Sequence, residues 1–266
     1  MKIRSVKLAC FSPTGTTKAV LEGIARGVGL ENVELVEVTT PEARDAPLKM
    51  QEDELLVVGV PVYMGRVPAL LAGWLGRIRA NRTPAVCVVV YGNRVFDDAL
   101  LELQDALARG GCRPIAGAAF IGEHSFSRTE TPTAAGRPDA SDLDRAERFG
   151  REVRERLLAA SSIDEVPEVS IPGCRPYRGD PTLWQVDFIA VGAGCTRCGA
   201  CAAWCPVGAI DPDDPASVDT ERCITCCACI KRCPEQARSM KPGSVMDASL
   251  RLHTLYGERK EPAFFI

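Results

Sequence analysis

Apolar residues in the first 160 positions fall into short blocks separated by helical patterns. The runs at 54–63 and 84–91 are continuously apolar, which is typical of strands buried on both faces of a sheet. Shorter apolar runs at 6–11, 33–38 and 113–122 complete a set of five predicted strands.

Helical patterns lie between these strands, at 18–28, 68–78 and 97–111, and a fourth, at 142–160, follows the last strand. The alternation predicts an α/β fold with a doubly wound, parallel, five-stranded sheet. Ligands of such sheets bind beyond the carboxyl ends of the strands. The loops that follow the strands are therefore the candidate site.

The pattern changes at the end of this predicted first domain, 1–160. Residues 161–189 begin with a stretch rich in proline and polar side chains, which predicts a linker to a second domain at 190–241. The tail, 242–266, contains a helical pattern at 244–257 and ends in Pro-Ala-Phe-Phe-Ile. We expect this apolar ending to dock on one of the domains; a peptide that binds a partner is the alternative.

Composition excludes several classes of protein. The chain has 266 residues, is 46% hydrophobic and carries a net charge of −3, so it offers no basic surface for nucleic acid. Its first residues lack the features of a signal peptide, and no apolar stretch approaches the roughly 20 residues of a membrane helix. We therefore expect a cytoplasmic protein without a membrane partner, whose 13 cysteines remain reduced thiols.

Nine of those cysteines lie in two copies of one motif. Residues 195–206 read CTRCGACAAWCP and residues 223–234 read CITCCACIKRCP, an offset of 223 − 195 = 28 residues. Both copies fit Cys-x-x-Cys-x-x-Cys-x-x-x-Cys-Pro. Cys227 falls outside that spacing, where the first copy has Gly199. We expect Cys227 to pack as a small apolar residue; a redox-active thiol is the alternative.

This spacing indicates iron–sulfur clusters. In two-cluster ferredoxins, three cysteines of each run bind one cluster and the fourth binds the other. The two predicted ligand sets are Cys195, Cys198, Cys201 with Cys233, and Cys223, Cys226, Cys229 with Cys205. Structural zinc usually takes two separated cysteine pairs, which fits these triple runs less well, and a disulfide-stapled secreted module would need a signal peptide.

Residues 190–241 accordingly resemble bacterial-type ferredoxins that carry two [4Fe–4S] clusters. The resemblance implies a small α+β domain, with short helix-and-strand segments after each Cys-Pro, at 207–210 and 235–237.

The loop after the first predicted strand reads Ser12-Pro-Thr-Gly-Thr-Thr17. Its amides and hydroxyls would face a phosphate at the positive end of the following helix. The loop lacks the GK[ST] ending of a nucleoside-triphosphate loop and the G-x-G-x-x-G motif of a dinucleotide fold. Thr16 stands where a tyrosine-phosphatase loop needs arginine. A helix cap without a ligand is the alternative.

Two further loops, 61–66 and 91–97, follow neighbouring strands and contain glycine and aromatic residues, which suits a flat ring at the sheet edge. Residues 1–160 thus resemble flavodoxins, and the resemblance implies bound FMN. The implied phosphate site is Ser12, Thr14, Gly15, Thr16 and Thr17, and the implied ring site is Pro61, Val62, Tyr63, Met64, Gly65, Tyr91, Gly92, Asn93, Arg94 and Phe96.

The ring loops differ from those of a simple flavodoxin, because they carry Arg66 and Arg94 rather than acidic residues. A cation beside the flavin would stabilise its reduced anion; solvated arginines at the rim are the alternative. Residues 123–139 form a predicted long loop that covers the flavin. The chain has only two histidines, His124 and His253, and we recognise no general-base arrangement.

Nearly the whole chain resembles the flavodoxin–ferredoxin fusion proteins of anaerobes. The resemblance implies an electron-transfer protein that relays electrons between FMN and two [4Fe–4S] clusters and works with redox partner proteins. An FMN-dependent reductase fed by its own clusters is the alternative, and a structural or oxygen-sensing module with an empty flavin site is a third. The sequence leaves the partners and the oligomeric state open.

Overall fold

A computed structural model of the chain describes residues 1–182 and 184–266. The strands are β1 (Ser5–Cys10), β2 (Asn32–Glu37), β3 (Glu54–Pro61), β4 (Thr83–Tyr91), β5 (Cys112–Ile121), β6 (Ile189–Val191), β7 (Arg238–Met240) and β8 (Ala263–Phe265). The α-helices are α1 (Thr16–Val28), α2 (Ala72–Leu75), α3 (Ala99–Arg109), α4 (Ala140–Ala159), α5 (Ala200–Ala203), α6 (Ala228–Lys231) and α7 (Ser244–Tyr256).

The larger sheet has the strand order β2-β1-β3-β4-β5-β8, and its first five strands are parallel. This is the flavodoxin-like order of a doubly wound sheet, and it confirms the predicted fold class.

The sixth strand of this sheet was not predicted. Strand β8 comes from the tail and pairs antiparallel with β5, with Phe265 opposite Gly117. The apolar ending thus packs on the sheet, where it covers an edge of β5 that would otherwise expose unpaired backbone groups. Three apolar residues are too few to show a strand period, and the pairing partner lies far away in the sequence.

The central strands β3 and β4 are buried on both faces, and successive side chains of each strand point to opposite sides of the sheet. On one face, Leu56 and Val58 of β3 belong to the same core cluster as Leu103 of α3. On the other face, Leu55 and Val57 belong to a cluster with residues of α1 and α4. This burial explains the continuous apolar runs in the sequence.

Helices α1 and α4 cross at very close range. A Cβ added to Gly27 would lie 1.8 Å from the carbonyl oxygen of Glu147, and one added to Gly150 would lie 2.1 Å from that of Ile24. Any larger side chain at either glycine would push the helices apart, and with them the N-terminus of α1 that faces the candidate site.

The predicted helix at 68–78 is shorter in the structure. A 3₁₀ turn, Ala69–Leu71, leads into the four-residue helix α2. Gly73 and Gly76 lie in this stretch, and glycine disfavours the helix interior.

The segment predicted as a linker packs across the first domain. Val166, Val169 and Ile171 are buried, and the Gln104 side chain donates to the Val169 carbonyl at 2.8 Å. Residues 171–182, called the strap below, continue from there to the carboxyl edge of the sheet. No helix of the described residues is both long and apolar enough to cross a membrane.

Candidate functional site

The loops after β1, β3, β4 and β5 meet at the carboxyl edge of the sheet around one cavity of about 500 Å³, here called the large cavity. Its lining includes these predicted site residues: Thr14, Thr16, Thr17, Pro61, Val62, Tyr63, Met64, Gly65, Tyr91, Gly92 and Arg94. Among the described residues, the lining leaves out four other predicted ones: Ser12, Gly15, Asn93 and Phe96.

The loop after β1 presents hydroxyl groups at the N-terminus of α1. Gly15 precedes the helix with φ +92°, and the first turn contains no acidic residue. Thr14, Thr16 and Thr17 line the cavity at this positive end of the helix. The Ser12 side chain instead accepts the backbone N–H of Lys18 at 3.1 Å. Ser12 and Gly15 thus fix the shape of the loop, and the three threonines line the large cavity.

The two ring loops contact each other at their bases and form one wall of the large cavity. A Cβ on Gly65, which has φ +81°, would lie 2.3 Å from Asp97 Oδ2. The Tyr63 ring packs edge-on against Phe11, with ring centroids 6.5 Å apart, and burial raises the pKa of Tyr63 well above its usual range. Met64 and Val95 are exposed at the cavity mouth.

Three residues of these loops point elsewhere. The Asn93 amide donates to the carbonyl oxygens of Tyr256 and Glu258, at 2.6 and 2.7 Å, so it anchors the end of α7. Phe96 packs on Tyr91. Arg66 forms two hydrogen bonds with the Glu102 carboxylate and is not among the residues described as lining the cavity. The lining of the large cavity thus does not include Asn93, Phe96 or Arg66.

The loop after β5 lies over the large cavity, where Glu123, His124 and Phe126 contribute to the lining. Burial, together with the charges of Lys231 and Arg94, lowers the pKa of His124 to about 4. Its Nδ1 accepts the Phe126 backbone N–H at 3.0 Å, which assigns the proton of the neutral ring to Nε2. His124 is therefore a neutral donor at physiological pH.

Three segments outside residues 1–160 complete the cavity wall. The strap and the residues after it contribute Gly179, Asp180, Thr182 and Trp184, α7 contributes Ala248, Arg251 and Leu252, and the second cysteine motif contributes Ile224 and Thr225. The sequence carries no signal for these residues, because their position depends on how distant segments pack.

Asp98 fixes the strap beside the cavity. Its buried carboxylate accepts from the Arg178 backbone N–H at 2.7 Å, from Nε and Nη2 of Arg178 at 3.1 and 2.7 Å, and from the Cys174 thiol at 3.2 Å. The hydrogen bonds from Arg178 hold the pKa of Asp98 well below its usual range, although burial acts in the opposite direction. Asp98 therefore stays ionised at neutral pH.

The two cysteine motifs have the same backbone conformation. Left-handed φ values recur at the offset of the repeat, in Arg197 and Thr225, in Gly199 and Cys227, and in Gly208 and Gln236. The short helices α5 and α6 follow the second of these pairs. Cys227 thus takes a left-handed conformation, with φ +57°, that glycine adopts without strain.

The cysteines surround two separate small cavities, and the fourth cysteine of each motif lies with the other motif. One cavity is lined by Cys223, Cys226, Cys227, Cys229 and Cys205. The other is lined by Cys195, Cys198, Cys201 and Cys233. Among the described residues, no three His, Cys, Asp or Glu side chains converge on a single metal ion.

In both motifs, a backbone amide donates to the sulfur of the fourth cysteine, the one that lies with the other motif. Ala209 N–H donates to Cys205 Sγ at 3.2 Å, and Ala237 N–H donates to Cys233 Sγ at 3.3 Å. Such bonds favour a thiolate that is ligated to a metal. Burial raises the pKa of Cys229 to about 11.

The cysteine domain contacts the first domain through charged residues of the second motif. Arg232 Nε donates to the Pro13 carbonyl at 2.5 Å, and its guanidinium lies 3.7 Å from the centroid of the Trp204 ring. Lys231 pairs with Glu123. These contacts place the second motif against both the loop after β1 and the loop after β5.

Comparison with known proteins assigns the cysteine region. Residues 188–234 match the family described as "4Fe-4S dicluster domain". A search of curated proteins found no match. The chain joins this domain to a domain with the flavodoxin-like strand order given above.

Solved structures similar to the N-terminal part include flavodoxins. An archaeal flavodoxin is 14% identical, covers 59% of this chain and 99% of its own, and has a TM-score of 0.40. A flavodoxin of Streptococcus pneumoniae TIGR4 is 17% identical, covers 57% and 97%, and has a TM-score of 0.38. An NADH:FMN oxidoreductase in its apo form is 17% identical, covers 56% and 89%, and has a TM-score of 0.37.

Proposed function

We propose that the protein is an electron-transfer protein that relays electrons between FMN in the large cavity and two [4Fe–4S] clusters on the cysteine motifs. Bound FMN exchanges electrons in pairs or singly, whereas each cluster exchanges one at a time. The chain itself holds these groups close together, excludes water from them and presents one of them to a partner.

The large cavity suits FMN. Its volume of about 500 Å³ lies within the usual range of ligand sites. One end has threonine hydroxyls at a helix N-terminus, which is where proteins bind phosphate groups. The other end has Tyr63, Tyr91 and Trp184, whose rings suit a flat aromatic ligand.

The two small cavities suit cubane clusters. The lining of each includes the four cysteines that crossed ligation requires, and Cys227 is a fifth in the cavity of the second motif. The amide donors to Cys205 and Cys233 supply hydrogen bonds that clusters need at their sulfurs. We therefore assign the eight repeated cysteines as ligands and Cys227 as a packing residue.

One observation carries the proposal of a relay. Ile224 and Thr225, which separate Cys223 from Cys226, line the large cavity. The loop around the second set of cysteines is therefore also a wall of the flavin site. No residue of the first motif lines the large cavity, and its Cys198 is exposed whereas Cys226 of the second set is buried.

This order gives electrons a path from the large cavity through the second set to the first set. A redox partner protein would dock where Thr196, Arg197 and Cys198 are exposed. We assign the relay to the cytoplasm, because none of the 13 cysteines forms a disulfide and cluster ligands must be reduced.

The adjacent cysteines of the second motif provide a matched test. In anaerobically purified protein, Cys226→Ala should lose about half of the iron and sulfide, whereas Cys227→Ala should keep both, because only Cys226 is in the ligand register. Iron, sulfide and flavin are quantified in both variants and the parent. A parent without iron or flavin, or equal iron loss in both variants, would contradict the proposal.

A second candidate is an FMN-dependent reductase of a small molecule. It is favoured by the mouth of the large cavity, where Met64 and Val95 are exposed beside Arg251 and Leu252 of α7. The test mixes reduced protein with quinones and nitroaromatic compounds. Two results together would establish the reductase. The oxidation must saturate with the small molecule, and Leu252→Trp must slow it while leaving electron transfer to a protein acceptor unchanged.

A further inference from the structure

Arg238 occupies a position of the cysteine repeat that is apolar in the other copy. The offset of 28 residues pairs it with Ile210, since both follow the Cys-Pro cysteine by five positions. Ile210 is 5% exposed and Arg238 is 4% exposed. The fold thus buries a guanidinium where the equivalent site takes an aliphatic side chain.

The strand alternation of β7 directs Arg238 inward. Arg238 and Met240 are buried and Ser239 between them is exposed. Inside, Arg238 Nη2 donates to the Pro215 carbonyl, while Nη1 has no hydrogen-bond partner among the described residues. Among the described residues, no carboxylate forms an ion pair with Arg238.

Arg238 lies beside cysteines of both motifs. It lines the cavity of Cys201 and Cys233. Burial acts to lower the pKa of Arg238, but the neighbouring Cys201 and Cys229 outweigh it and raise the pKa. Cys201 belongs to the first ligand set and shares this cavity with Arg238. Helix α6, which carries Cys229 of the second set, packs against β7, so the guanidinium lies close to both sets.

A buried arginine is rare unless an anion pairs with it. The ligated clusters are such anions, since four thiolates and four sulfides outweigh the charge of the irons, and each gains one further negative charge on reduction. A fixed cation close to both sets therefore favours the reduced state of both, and charge and hydrogen bonding are established determinants of cluster potential.

We infer that Arg238 is a positioning residue that raises the reduction potentials of both clusters by placing one buried positive charge close to both. The inference rests on the proposed function, because it requires that both ligand sets hold clusters. It assigns a role to a residue that lies outside the ligand spacing.

The test measures both midpoint potentials in anaerobically prepared holoprotein, by redox titration followed by electron paramagnetic resonance. Arg238→Ile copies the other half of the repeat, Arg238→Gln keeps polarity without charge, and Arg238→Lys keeps charge. Met240→Leu, on the same face of β7, is the control. Iron and sulfide content are measured for every variant.

Arg238→Ile and Arg238→Gln should shift both potentials downward. At an effective dielectric constant of about 20, loss of one nearby charge changes the ratio of reduced to oxidised cluster by at least about tenfold. For a one-electron couple, tenfold corresponds to 59 mV. Arg238→Lys should restore most of the shift, and Met240→Leu should leave both potentials unchanged.

Unchanged potentials in an iron-replete Arg238→Ile or Arg238→Gln protein would overturn the inference. The inference would also fail if Arg238→Lys lowered the potentials as much as Arg238→Gln, because the effect would then come from shape and not from charge. If Arg238→Ile does not assemble its clusters, the potentials of Arg238→Gln and Arg238→Lys are compared instead. Absence of iron from the parent would instead contradict the proposed function.

Discussion

Substitution of Asp98 by asparagine should release the strap from the edge of the large cavity. Asparagine keeps one of the two acceptor oxygens, and it removes the negative charge that faces Arg178 and the hydrogen bonds that converge on the second oxygen. Gly179, Asp180 and Thr182 of the strap line the cavity, so the flavin site should open with it.

The magnitude follows from the exposure of the partner. A hydrogen bond to a charged group contributes about 1.5–3 kcal/mol, but the Arg178 side chain is 62% exposed, and solvent reduces such pairs towards 0–1 kcal/mol. We therefore expect the free energy of local opening to fall by about 1–2 kcal/mol, which is about a 5–30-fold increase in the opening equilibrium.

Hydrogen exchange followed by mass spectrometry measures this opening directly. Amides of the strap, 171–182, should exchange faster in Asp98→Asn, and those of β4 should not change. Asp53→Asn is the matched control, because its ion pair with Arg4 joins side chains that are 45% and 71% exposed. Release of FMN, followed by flavin fluorescence, should be faster only in the Asp98 variant.

The pH of the measurement is set by the sign of the pKa shift. The folded-state pKa of Asp98 lies below its ordinary value of 3.8, so its contribution is complete above that pH and is lost only as the pH falls through the lower, folded-state value. Between pH 6 and 8 the difference between parent and variant should be constant. Strap exchange within twofold of the parent, or equal acceleration in β4, would refute the reasoning.

Three further predictions concern the cofactor sites. Cys205→Ser should damage the cluster of the second motif and spare that of the first, as resolved by electron paramagnetic resonance; damage confined to the first would reverse the crossed ligation. Thr14→Val with Thr16→Val should weaken FMN binding by about 1–3 kcal/mol for each polar contact left unsatisfied, as measured by fluorescence titration, and unchanged affinity would place the phosphate elsewhere. Arg232→Gln, which removes the guanidinium bond to the loop after β1, should speed FMN release by up to about tenfold. An unchanged rate would show that this contact between the domains does not help to retain the flavin.

The features that sequence predicts well are those fixed by local rules. The parallel strands are predicted from apolar runs such as 54–61, because a strand that is buried on both faces is apolar at every position. The repeat alone pairs Cys227 with Gly199, and the match extends to the backbone, because both precede a short helix in the left-handed region.

The features that sequence does not predict depend on which distant groups compete for a side chain. Arg66 was predicted either beside the ring or solvated at the rim, but Glu102 on α3 offers it two oxygens in bidentate geometry. Asn93 was expected at the ring, but the carbonyl groups at the end of α7 take its amide. Neither partner is near in sequence, so no local pattern could show the competition.

The segments that sequence analysis treated as linker, tail and separate domain all contribute walls to the large cavity. Trp184, Leu252 and Thr225 come from these three segments, and each lines the same space as Thr16 and Tyr63. A ligand that fills this space contacts all of them, so its binding energy also favours the docked arrangement of the cysteine domain. By linkage, docking must strengthen ligand binding by the same factor. The coenzyme would then do more than carry electrons, because its presence would also hold the second set of cysteines at the distance from which electrons can leave.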